Sequence, residues 1–124
     1  MSTGRLVSIV DDDESVREGL ESLLTLMQMR VEAFVSAEAF LASEARSTTA
    51  CLLLDFMLTG MSGRELQQEL QLDERPPAII FITAAADEQF KKLVLSRGAI
   101  ACLQKPFDEA ELLSAIERAL EGSA

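Results

Sequence analysis

Leu6-Val7-Ser8-Ile9-Val10-Asp11-Asp12-Asp13 joins a short strand-forming run to three successive carboxylates. Four comparable runs follow, at Val31 to Val35, Ala50 to Leu54, Ala78 to Ile82 and Ile100 to Leu103. Most are rich in Val, Ile or Leu and continuous rather than alternating, which suits strands covered on both faces, as in a parallel sheet. Between them lie amphipathic stretches. Val16, Leu20, Leu23, Leu24 and Met27 fall at helical spacing, with Arg17, Glu18 and Glu21 on other faces. Ser36 is placed to cap a helix carrying Phe40 and Leu41, and Ser62-Gly63-Arg64-Glu65 reads as a capping box ahead of Leu66 and Leu70. Phe90, Leu93 and Val94 mark a fourth helix that stops near Gly98, and Asp108 with Glu111 opens a fifth carrying Leu112, Leu113, Ile116 and Leu120. Ser47-Thr48-Thr49 reads as a short loop before the third strand, and Arg75-Pro76-Pro77 as a tight entry to the fourth. Five strands and five helices in strict alternation predict one α/β domain, a parallel sheet with helices on both faces.

Composition bounds the rest. The chain of 124 residues is enough for one domain and short for two, and 48% apolar residues suffice for a core. A net charge of −10 disfavours binding to nucleic acid or to anionic membranes. With no His, Ser-His and Cys-His catalysis, His metal sites and phosphohistidine chemistry within the chain are excluded. Cys51 and Cys102 are too few for a zinc cluster and do not suggest a secreted disulfide framework. The short apolar run before the three aspartates is not a signal peptide, and no segment is long and apolar enough to span a bilayer. A reduced, cytoplasmic setting is expected.

Ligands of an open parallel sheet bind beyond the carboxyl ends of its strands. There the sequence puts Asp11, Asp12 and Asp13 after strand one, Asp55 after strand three, Thr83 after strand four, and Gln104-Lys105-Pro106 after strand five. Each has an ordinary reading alone: a solvated turn, a loop cap, a strand-end hydroxyl, a surface charge. Their shared edge is harder to dismiss. Crowded carboxylates raise one another's pKa unless a cation joins them, and hard oxygen ligands select Mg²⁺ or a similar ion. A lysine binds a phosphoryl oxygen as a point charge, and a threonine hydroxyl donates to another. Together they make a phosphoryl-accepting site with a carboxylate nucleophile.

Ile9-Val10-Asp11-Asp12-Asp13, Leu53-Leu54-Asp55, Ile82-Thr83-Ala84 and Gln104-Lys105-Pro106-Phe107 resemble, in order and spacing, the receiver domains of bacterial two-component response regulators. Val7 to Val10, Ser36 to Leu41, Met61-Ser62-Gly63 and Lys105-Pro106-Phe107 look most like the FixJ-type branch. The resemblance implies a doubly wound, flavodoxin-like (βα)5 domain with strand order 2-1-3-4-5 over 1–124, about 5–121 being the folded core, with no effector domain inside this chain. It implies Asp55 as phosphoryl acceptor, Asp11 and Asp12 as Mg²⁺ ligands (Mn²⁺ being an alternative ion), and the Met57 backbone carbonyl as a further ligand. Lys105 would pair with Asp55, Thr83 would turn its hydroxyl to the phosphoryl group, and Lys105-Pro106 would be cis. Asp13 belongs to the helix start. The implied partners are a sensor histidine kinase or phosphotransfer protein and a DNA-binding effector domain or separate effector. A phosphorylation-dependent homodimer is also implied, with Phe90, Lys91, Leu95 and Leu112 as candidate contacts, although Phe90 and Leu112 suit core packing better.

Several positions depart from that family's pattern. Leu58-Thr59-Gly60 stands where Met-Pro is usual, which should loosen the loop. Cys102 occupies the strand-five switch position, usually aromatic, and reads as a small buried hydrophobe, as does Cys51. Strands three and five are not neighbours in that order, so no internal disulfide is expected. Met57 and Ala85, two residues beyond Asp55 and Thr83, lack polar groups to orient water, which predicts a long-lived phosphorylated form shielded by Met57. Two other readings remain open: a phosphate-independent interaction module, and an Mg²⁺-dependent phosphohydrolase. The second lacks an acid catalyst, since Met57 stands where such enzymes place a second Asp.

Overall fold

The computed structural model describes residues 5–84 and 87–122. Its elements are β1 (Leu6–Val10), α1 (Glu14–Leu26), β2 (Arg30–Phe34), α2 (Ala37–Leu41), α3 (Ala45–Thr48), β3 (Thr49–Asp55), α4 (Gly63–Leu70), β4 (Ala78–Thr83), α5 (Glu88–Ser96), β5 (Ala101–Gln104) and α6 (Glu109–Gly122). The strands form one parallel sheet in the order β2-β1-β3-β4-β5, as anticipated.

Successive side chains of each strand enter opposite cores. Val7, Ile9, Leu53, Ile80 and Ile82 meet Leu20 and Leu24 of α1 and Leu112, Ala115, Ile116 and Ala119 of α6. Leu6, Val10, Leu52, Leu54, Ile79 and Phe81 meet Ala37 and Phe40 of α2, Ala45 of α3, Leu66 and Leu70 of α4, and Val94 of α5. Double coverage explains why the strands read as continuous apolar runs rather than alternating ones.

Local signals place the helices. Asp13 caps α1 by accepting from the Ser15 N–H, and Ser36 caps α2 by accepting from the Ala39 N–H. Ser62 and Glu65 close a reciprocal capping box on α4. At the end of α5, Gly98 takes φ +99°, and the Ala99 N–H reaches back to the Val94 carbonyl, the left-handed stop that glycine favours.

Five expectations need correction. Two helices, not one, join β2 to β3: α3 occupies part of the expected loop, and Thr49 begins the strand. There the buried Thr49 hydroxyl donates to the Ala45 carbonyl and pairs with Ser8 Oγ at 2.7 Å, tying helix to sheet. Strand two ends at Phe34, leaving Val35 exposed. Asp55 and Thr83 are the last residues of β3 and β4 rather than the first beyond them. Met27, expected on the buried stripe of α1, is its exposed C-cap, because the following Gln28 takes φ +65° and turns the chain away. Strand five runs Ala101–Gln104, one residue later than expected, so Gln104 ends the strand rather than following it.

α5 is held at both ends, by rings at its start and by α4 at its finish. Phe90 of α5 lies against Phe56 (centroids 4.1 Å apart) and edge-on to Phe81 (5.9 Å). At the other end, the Gln67 side-chain amide donates to the carbonyls of Val94 and Arg97, and Gln71 donates to the Arg97 carbonyl.

Candidate functional site

Parallel register brings the strand ends together. Val10 pairs with Leu54, Asp55 with Ile82, and Thr83 with Gln104. Asp11 leaves β1 with its N–H on the Phe34 carbonyl and its Oδ1 accepting from the Asp13 N–H. It is only 2% exposed, and Arg17 Nη1 donates to its backbone carbonyl at 2.8 Å. Asp55 is 6% exposed, and its Oδ1 accepts from the Met57 N–H at 3.1 Å. Asp12 lies exposed at the rim, where Thr59 Oγ1 donates to its Oδ2 at 3.3 Å. One carboxylate oxygen from each of Asp11, Asp12 and Asp55 lies within 4.8 Å of the others.

Lys105 reaches this cluster from beyond β5. The sequence resemblance pairs it with Asp55, but its closer partner is Asp11: Nζ stands 3.1 Å from Asp11 Oδ2 and 3.6 Å from Asp55 Oδ2. Its backbone N–H donates to the Thr83 carbonyl, which fixes β5's exit beside β4's, and the Lys105-Pro106 bond is cis. Thr83 is fully buried at the same edge.

The electrostatics follow from this crowding. Burial pushes the Asp55 carboxyl up to about 6, with the Asp11 charge acting in the same direction; the Met57 N–H and Lys105 oppose it. Burial also works most strongly on Lys105, against its charge. The hydrogen bond and charge of Asp11, and then Asp55, outweigh it and hold the ammonium above its ordinary range. A set of carboxylate oxygens strained by mutual repulsion suits a hard divalent cation, which takes oxygen ligands and relieves that repulsion.

The remaining expected residues are more peripheral. Met57 is 65% exposed at the rim of the site. Ala85 lies outside the described residues. Cys102 is half-buried against the α2–α5 core, and burial pushes its thiol up, partly offset by Lys91. Cys51 is fully buried, its thiol pushed up to about 12 by burial, and both cysteines are free. The loop between β3 and α4, expected to be loose, is tied at both sides: Thr59 to Asp12, and the Met61 N–H to Glu38 Oε2 at 2.9 Å. Sequence reasoning assigned no role to Glu38, Thr59 or Arg17: the first two act across the fold, and Arg17 reaches back six residues to a backbone carbonyl, none with a local motif.

A doubly wound sheet with an acidic cluster and a lysine at its carboxyl edge defines a class of domains suited to handling a phosphoryl group. The chain belongs to the response regulator receiver domain family, whose model matches residues 7–117. It is similar to the response regulator protein TodT of Pseudomonas putida, 41% identical over 117 residues, which are 94% of this chain and 51% of TodT. It is also similar to the transcriptional regulatory protein FixJ of Rhizobium meliloti, 38% identical over 120 residues, 96% of this chain and 58% of FixJ. Among solved structures, the response regulator StyR superposes with TM-score 0.87 at 43% identity, covering 95% of this chain and 60% of that one. FixJ-N superposes with TM-score 0.79 at 35% identity, covering 94% and 93%. The chain spans about half the length of the curated relatives it matches. The family is one of signalling domains, and a phosphoacceptor signalling role is favoured over a phosphohydrolase or a phosphate-independent binding module. Among the described residues, no helix is long and apolar enough to cross a membrane.

Proposed function

We propose that Asp55 accepts a phosphoryl group from a phosphohistidine on a sensor histidine kinase or phosphotransfer protein. The observation that carries this reading is the convergence on nearly buried Asp55 of two further carboxylates and the Lys105 ammonium. A carboxylate oxygen of Asp55 attacks phosphorus in line, the P–N bond breaks, and the leaving imidazole keeps its electron pair and takes up a proton. Asp11, Asp12, Asp55 and the Met57 carbonyl would hold Mg²⁺, with Mn²⁺ as an alternative. Bound there, the ion neutralises carboxylate repulsion and the charge that develops on the phosphoryl oxygens. Lys105 moves from its ground-state bond with Asp11 toward a phosphoryl oxygen, and the Thr83 hydroxyl donates to another. Drawing Thr83 inward shifts the population of the face made by α5, β5 and α6. With Cys102 on β5 in place of a large ring, the signal leaves through backbone and α5 motion.

Residues 1–124 act as one receiver domain with its core at about 5–121, in a cytoplasmic setting. Its output is a DNA-binding effector domain or a separate effector, consistent with relatives named as transcriptional regulators. The acidic domain itself binds neither nucleic acid nor membrane. A phosphorylation-dependent homodimer would use Lys91 and Leu95 on α5. Phe90 and Leu112 are better suited to packing, Leu112 being fully buried.

Incubation with acetyl phosphate and Mg²⁺, followed by intact mass, should show the gain of one phosphoryl group, absent from Asp55→Asn. A wild-type chain that gains none overturns the proposal. Beryllofluoride with Mg²⁺ should shift amide resonances around Thr83 and β5. For the lifetime, Met57→Asn should speed phosphate release, since it adds a polar group at the rim; unchanged decay would count against a role for Met57, and Ala85→Asn tests the other position.

A further inference from the structure

We infer that Glu38 of α2 is a positioning residue for the acceptor site: by holding the Met61 N–H it fixes the loop 56–62, so that Thr59 meets Asp12. The inference rests on the reading of Asp12 and Asp55 above. Three contacts on one short loop carry it. Its start is bound by the Met57 N–H on Asp55 Oδ1 at 3.1 Å. Its middle is bound by Thr59 Oγ1 on Asp12 Oδ2 at 3.3 Å. Its end is bound by the Met61 N–H on Glu38 Oε2 at 2.9 Å. Between the last two, Gly60 turns the chain at φ +81°, and a Cβ added there would stand 2.8 Å from the same Glu38 oxygen. The carboxylate is thus seated against the turn itself, whose left-handed φ favours glycine.

Glu38 presents this oxygen from a rigid base. Ser36 caps α2, and Ala37 and Phe40 on either side are fully buried, with the Phe40 ring edge-on to Phe34 at 5.4 Å. The Met61 N–H holds the Glu38 carboxyl below its usual range, so the clasp stays intact through neutral pH. Asp12, by contrast, is the exposed member of the acidic cluster, and Thr59 is the side chain that orients it. Partners that orient a metal's own ligands set its affinity. Glu38 acts one step further out, by keeping Thr59 in register.

The test uses the full chain and Mg²⁺ alone. Amide NMR titration gives the Mg²⁺ dissociation constant for wild type, Glu38→Ala, Glu38→Gln and Thr59→Val, and acetyl phosphate labelling gives the phosphorylation rate. Glu38→Ala and Thr59→Val should each weaken Mg²⁺ binding roughly three- to tenfold. Glu38→Gln should restore it, because its side-chain carbonyl accepts from the same Met61 N–H, and the Met61 amide resonance should move in Glu38→Ala but stay near its place in Glu38→Gln. A merely structural role would lower the melting temperature and leave the Mg²⁺ constant alone. Wild-type Mg²⁺ affinity in Glu38→Ala, or a Glu38→Gln chain as weak as Glu38→Ala, overturns this inference alone. A wild-type chain that shows no Mg²⁺ response around Asp12 and Asp55 overturns the reading beneath it as well.

Discussion

Asp55→Asn should make the metal-free protein more stable at pH 7.5. The Asp55 carboxyl is pushed from an ordinary 3.8 to about 6, chiefly by burial and then by the Asp11 charge. A tenfold change in proton affinity is about 1.4 kcal/mol, so the ionised carboxylate costs the fold at most about 3 kcal/mol at neutral pH. The substitution also removes a contact with Lys105 at 3.6 Å. The attraction of Lys105 is already contained in that value, and Lys105 keeps its shorter bond to Asp11. The asparagine carbonyl can still accept from the Met57 N–H. A gain of at most about 3 kcal/mol therefore remains. At roughly 2.1 cal/mol/K per residue of unfolding entropy, a chain of this length melts up to about 12 °C higher. The sign follows from a raised folded-state value. Below about pH 4 the wild-type Asp55 is protonated in both states, and the group makes no difference. As pH rises from about 4 to about 6, the unfolded chain loses this proton before the folded state does, so wild-type stability falls and the variant's advantage opens, reaching its full size above about 6. Scanning calorimetry with EDTA at pH 5 and pH 7.5 measures the gap directly. Mg²⁺ should narrow it by stabilising the wild type more. An advantage equal at both pH values, or a variant that melts below wild type at pH 7.5, refutes the argument from buried charge.

Ser62→Ala removes half of the α4 capping box and should cost about 1 kcal/mol in urea unfolding, with no change in Mg²⁺ affinity. Arg46 holds Asp73 with two hydrogen bonds and stands near Glu69, but its side chain is 30% exposed. Arg46→Ala should therefore cost less than about 1 kcal/mol, and the loss should shrink in high salt. Cys51, fully buried with its thiol pushed up to about 12, should resist a thiol reagent until the protein unfolds, while Cys102 reacts in the native state more slowly than a free thiol. Mass spectrometry of partly labelled protein distinguishes the two sites.

The sequence carried the sheet and its chemistry well, for a physical reason. A strand buried on both faces must be apolar throughout, so the five runs stood out, and the polar residues ending them marked the functional edge. Asp13, Ser36 and Ser62 announced helix starts because capping is a contact between near neighbours in the chain. What stayed hidden is what depends on distant partners. α3 is a single turn whose anchor is a buried Thr49 hydroxyl, and no periodicity marks so short an element. The exposure of Met27 follows from a left-handed Gln28, a conformation that residue's identity does not advertise. The preference of Lys105 for Asp11 over Asp55 is a matter of half an ångström between side chains at the ends of three different strands. The missing proline suggested slack in the acceptor loop, yet Glu38 and Asp12 hold that loop from the outside, and neither contact has a local signature.

The aromatic contact between Phe56 and Phe90 has a mechanical meaning. Phe56 follows Asp55 directly in the chain, and its ring stands 4.1 Å from that of Phe90, which also touches Phe81 in the strand ending at Thr83. Touching rings resist compression, so a displacement at either strand end presses on the first half of α5. The far half is fastened by the Gln67 and Gln71 amides to backbone carbonyls near Arg97. α5 is therefore built as a lever, with its fulcrum at the glutamine-bound end and the load taken up beside Thr83.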